Sequence, residues 1–70
     1  MEQGTYTGIY IGKEMCGFKL EHEYQFKLNH NGRTYELVAF YDLSIDEDVD
    51  LFMPYSSEKS IRMNWNIKEK

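Results

Sequence analysis

The segment from Glu23 to Tyr41 constrains the fold most. Tyr24, Phe26 and Leu28 alternate with Glu23, Gln25, Lys27 and Asn29, and Asn31-Gly32 follows. Strict apolar–polar alternation marks a half-buried strand. An Asn-Gly pair between two such runs is a strong hairpin signal, because a type I′ turn needs positive φ at both central residues. With Asn31 and Gly32 as the turn, His30 faces Arg33, Leu28 faces Tyr35, Phe26 faces Leu37 and Tyr24 faces Ala39. The apolar members then share one face, while Lys27 meets Glu36 on the other as a favourable cross-strand pair. Val38 and Phe40 break the pattern by adding apolar groups to the polar face. A bend near Val38 would let one long strand serve the core from both halves.

Three further segments read as strands. In Thr5 to Gly12, Thr5, Thr7, Ile9 and Ile11 alternate with Tyr6, Gly8 and Tyr10. Gly8, lacking a side chain, suits a bulge or a close backbone approach. Lys13 to Gly17 reads as a loop. Residues 49–55 place Val49, Leu51, Met53 and Tyr55 on one face, and because Pro54 cannot donate to a ladder this strand either ends there or runs along an edge. Ser56 to Ser60 is polar and predicts a short 3₁₀ turn. In Ile61 to Lys68, Ile61, Met63, Trp65 and Ile67 alternate with Arg62, Asn64, Asn66 and Lys68, which predicts a last strand.

Seventy residues are one domain, 1–70, and eleven of them are aromatic: six Tyr, four Phe and one Trp. Such a chain buries only about 60% of its unfolded surface, so large rings are an efficient way to build a core. The single cysteine, Cys16, excludes an internal disulfide and a multi-cysteine zinc site. Without either staple, homo-oligomerisation is an available route to stability. A lone thiol and an N-terminus without a basic or apolar leader segment lead us to expect a cytoplasmic protein. No apolar run approaches the ~20 residues of a membrane span. The expected fold is all-β: a small five-stranded, partly open SH3-like barrel, with a central Asn-Gly hairpin and a 3₁₀ turn before the last strand. A five-stranded OB-type barrel is the rival, but it carries a helix where residues 42–48 offer a short acidic run.

That run holds the chemistry. Asp42, Asp46, Glu47, Asp48 and Asp50 are five of the twelve acidic side chains, and the remaining seven acidic and eight basic residues leave the rest of the chain at +1. Like charges in a loop discourage edge-to-edge strand pairing. They also steer a basic partner and set specificity. Asp46, Asp48 and Asp50 have the spacing of a calcium loop, but Leu51 stands where glycine is required and Ser57 where a bidentate Glu is required. No metal or cofactor is therefore expected. Cys16 with His22 or His30 lacks any group that would orient a base, and a small buried hydrophobe beside Phe18 is the commoner role for such a cysteine. No phosphate-binding or hydrolase motif is present.

Exposed aromatics invite a single-stranded nucleic-acid reading of OB or cold-shock style. The opening Gly4-Thr5-Tyr6 to Gly17-Phe18 is similar to the start of cold-shock domains, but Cys16-Gly17-Phe18-Lys19 replaces their stacking motif. A net charge of −4 also works against phosphate binding. Glu23-Tyr24-Gln25-Phe26, the hairpin from Asn29 to Tyr41, and Pro54-Tyr55-Ser56-Ser57-Glu58-Lys59-Ser60-Ile61-Arg62 together resemble the small SH3-like barrel accessory proteins of bacterial phages and mobile elements. The resemblance spans most of the chain in size and strand order. It implies a non-enzymatic protein that acts by occupying a surface, inhibiting or adapting a host protein. A small structural or self-assembling phage component is a further reading. The expected contact residues for a basic protein partner are Asp42, Asp46, Glu47, Asp48 and Asp50, with Tyr41, Phe52 and Tyr55 as aromatic anchors.

Overall fold

The computed structural model describes residues 1–68. Five antiparallel strands form one open sheet: β1 (Gly4–Tyr10), β2 (Glu23–Asn31), β3 (Thr34–Asp42), β4 (Glu47–Tyr55) and β5 (Trp65–Lys68). One short helix, α1 (Glu58–Asn64), lies between β4 and β5. The spatial order is β4-β3-β2-β1-β5, so β4 and β5 are the two edges. Pro54 thus sits in an edge strand, which has a ladder on one side only. No helix among the described residues is long and apolar enough to cross a membrane.

The β2–β3 hairpin forms, but its turn differs from the expected one. Asn31 pairs with Thr34, leaving Gly32 and Arg33 as the two loop residues. Only Gly32 has positive φ there, +64°, as a turn with glycine at its first central position requires. The register moves accordingly: Leu28 faces Leu37, Phe26 faces Ala39 and His30 faces Tyr35. Lys27 faces Val38, and Glu36 faces Asn29. From the turn to Ala39 the shift is by two positions, so each side chain keeps the face that alternation assigned to it, whereas the irregularity opposite Gln25 and Phe26 turns Asp42 to the buried side beside Tyr24. Tyr24, Phe26, Leu28, Tyr35, Leu37 and Ala39 are all buried.

Val38 and Phe40 do not enter the core. The irregularity in the β3–β4 ladder falls between Ala39 and Tyr41, beyond Val38, and Phe40 remains 41% exposed on the outer face. The 3₁₀ expectation and the long last strand are also corrected. Residues 58–64 are α-helical, and β5 begins only at Trp65. Ser57 caps the helix, its Oγ accepting the Ser60 N–H at 3.2 Å. Glu58 and Arg62 pair one turn apart at 2.9 Å, and the Asn64 side chain donates back to the Ser60 carbonyl at 2.7 Å. Ile61 in the helix and Trp65 at the start of β5 are both buried, whereas Met63 is 68% exposed.

Trp65 is the hub of the core. The rings of Tyr10, Phe18, Tyr24 and Phe26 lie 4.9–5.8 Å from it. Phe18 enters from the β1–β2 connection rather than from a strand, and it is fully covered. Cys16 next to it is exposed, not the buried neighbour expected. Gly8 meets its expectation of a close approach: a Cβ there would lie 3.2 Å from the Asn66 carbonyl and 3.3 Å from the Ile67 Cα. β1 can therefore lie between β2 and β5 with both ladders intact.

Candidate functional site

The acidic run is not a single loop. Asp42 closes β3, residues 43–46 form the turn, and Glu47, Asp48 and Asp50 belong to the first half of β4. Asp42 is only 2% exposed, which corrects its expected place among the partner contacts. Its Oδ1 accepts the Ser44 N–H at 2.9 Å and the Ile45 N–H at 3.4 Å, while its Oδ2 lies 2.8 Å from His22 Nδ1. Two bonds to Glu23 complete the clasp: Leu43 N donates to its carbonyl at 2.7 Å, and its own N–H donates to Ser44 Oγ at 2.9 Å. An aspartate whose carboxylate captures the N–H two residues on is a turn-forming unit. Here it holds the turn against the start of β2. The Asp42-Leu43-Ser44 run carried that signal in the sequence.

Asp42 also supplies the orienting group for a histidine that was not evident from sequence. Among the described residues, however, no hydroxyl or thiol is hydrogen-bonded to the His22 ring, and no three His, Cys, Asp or Glu side chains converge on a metal-sized site. The pair acts as a fastener in this structure.

The other four carboxylates stand outward. Asp46 takes positive φ, +55°, at the end of the turn, and the Tyr41 hydroxyl donates to its carboxylate. Asp48 lies across from Tyr41 and Glu47 across from Asp42 in the ladder. Asp46, Glu47, Asp48 and Asp50 are exposed and form no ion pair among the described residues. Apart from the Tyr41 hydroxyl on Asp46, their charges are met by solvent and salt, so their field reaches outward over about one Debye length, ~8 Å at physiological ionic strength.

No protein-family model, curated protein or solved structure matches this chain. Its surface therefore has to be read from its own residues. Phe52 stands 47% exposed, as an anchor would, and Tyr41 is half-buried. Tyr55 is a core residue, correcting its expected place: it is 8% exposed and its hydroxyl accepts the Trp65 Nε1–H at 2.9 Å. Three further apolar residues, none of them expected as a partner contact, join Phe52 on the same hairpin. Phe40, Leu43 and Ile45 are 40–49% exposed. Phe40 was signalled by breaking the alternation. Leu43 and Ile45 stand out only as aliphatic residues inside an acidic turn.

Proposed function

We propose that this chain is a non-catalytic protein-interaction module of the cytoplasm, which binds a basic protein surface through the β3–β4 hairpin. The observation that carries this reading is the placement of four exposed apolar side chains, Phe40, Leu43, Ile45 and Phe52, with four unneutralised carboxylates on one hairpin. Apolar anchors surrounded by charge suit a binding hot spot, with the carboxylates governing association rate and selectivity. Asp42 holds the turn in shape and Tyr41 buttresses Asp46, so the surface is ordered before a partner arrives. Preorganisation of this kind reduces the entropy lost on binding.

The order β4-β3-β2-β1-β5, with a helical turn before the last strand, supports an SH3-like reading of the sheet. It is in keeping with an accessory inhibitor or adaptor of the kind that phages and mobile elements encode. The test is a titration of the labelled protein with a ten-residue peptide of alternating Lys and Leu, followed by amide NMR. Saturable shifts over residues 43–52, weakened by salt and lost when Asp46, Glu47, Asp48 and Asp50 are replaced by their amides, are expected. Unchanged affinity and salt dependence in that folded variant would overturn the proposal. Tight binding of a short oligonucleotide by the unaltered protein would favour the nucleic-acid reading.

A further inference from the structure

At the opposite end of the same hairpin, Asn31, Thr34, Glu36, Pro54 and Ser56 surround an open cleft of about 520 Å³. Its floor is the β3–β4 ladder at the Tyr35–Tyr55 pair. Both tyrosines are 8% exposed and turned to the core, so strand alternation turns Thr34, Glu36 and Pro54 to the outer face. Glu36 is the one charged side chain of the lining. Its ladder neighbours are Asn29 and Pro54, neither of them charged, and it forms no ion pair among the described residues. The amide of Asn31 and the hydroxyl of Ser56 add further acceptors, while the Thr34 hydroxyl is committed to the Asn31 carbonyl at 3.1 Å. Pro54 contributes an apolar ring.

A carboxylate, neighbouring neutral acceptors and one apolar wall complement a long cationic side chain. A guanidinium offers five donors in a planar fork, and its methylene stem can lie along the proline. We propose that this cleft receives an arginine side chain of a partner segment lying along the outer face of β3 and β4. The proposal rests on the interaction reading above and gives that partner a pattern. The outer face runs from the carboxylates of the turn, through Phe40, Val38 and Phe52, to Glu36. From Asp48 to Pro54 the strand covers about 20 Å. The complementary segment is basic, then apolar, then basic again, with the second basic residue an arginine.

The experiment is an amide NMR titration of the full chain with N-acetyl-arginine N-methylamide, repeated with the citrulline analogue, which has nearly the same shape and no charge. Saturable shifts at Asn31, Thr34, Glu36 and Ser56 are expected with arginine, and about fivefold weaker binding with citrulline, the range of a partly exposed charge pair. Glu36→Gln should weaken arginine binding about as much. The amide variant of Asp46, Glu47, Asp48 and Asp50 should retain it. Absence of saturable shifts, equal binding of citrulline, or an unaltered Glu36→Gln response overturns the cleft assignment. Shifts confined to residues 43–52 also overturn it, and they leave the acidic turn as the basic-partner site. Should Glu36→Gln fail to fold, the arginine–citrulline comparison on the unaltered chain decides the matter.

Discussion

Asp42 and Asp48 lie six positions apart in one acidic run, yet they have opposite physical roles. Asp42 is buried and its oxygens hold two turn amides and the His22 ring; Asp48 is exposed and unpaired. Hydrogen bonds to a charged group contribute about 1.5–3 kcal/mol each when well made. Asp42→Ala should therefore lower stability by about 2–3 kcal/mol in urea unfolding, after the partial rescue of the freed amides by water. Asp48→Asn should stay within about 0.5 kcal/mol. Tyr55 gives a second test at this scale. Burial pushes its phenol up from 10.0 to about 12, against a smaller downward pull from the Trp65 hydrogen bond. Because the folded value is the higher one, this burial stabilises fully below pH 10 and its contribution is lost as pH rises from about 10 to about 12. An alkaline absorbance titration should show the last phenolate appearing near the top of that window. Tyr55→Phe should remove this step. Ionisation of all six tyrosines near pH 10 would contradict the burial.

Element by element, the sequence was legible where facing direction alone mattered. Alternation in β2 and β3 identified six buried residues correctly even though the hairpin turns one residue later than Asn-Gly chemistry suggested. A two-position slip preserves parity, so hydrophobic pattern cannot detect it; the backbone at Gly32 decides. Helix α1 was illegible for a different reason. Ile61, Met63, Trp65 and Ile67 satisfy a period of two, but Ile61 and Trp65 also satisfy a helical i, i+4 spacing. The Ser57 cap and the Glu58–Arg62 pair favour the helix over the first four residues. The two alternatives differ sharply at Met63, which a strand would bury beside Ile61. Ile61→Ala should cost about 2–5 kcal/mol by opening a core cavity. Met63→Ser should change stability by no more than about 0.5 kcal/mol. Comparable losses at both positions in urea unfolding would restore the strand.

The molecule as a whole has one core, to which every strand and the helix contribute. Nothing in it can unfold alone without exposing rings that belong to its neighbours. Circular dichroism and calorimetry should therefore give one coincident transition, with the calorimetric enthalpy equal to the van't Hoff value. Separate transitions for sheet and helix would contradict a shared core. At this scale the acidic site was only half visible in the sequence. Charge density located the hairpin, but burial of Asp42 and Tyr55 depends on contacts with His22 and Trp65 that are distant in the chain. The hub at Trp65 has one more consequence, an optical one. Tyr10 and Tyr24 stand with their ring centres 5.1 and 5.8 Å from the indole, close enough for efficient resonance transfer of excitation. Light absorbed by these phenols in the native protein emerges as indole emission, and the colour of that emission reports how closely the chain is gathered around its single tryptophan.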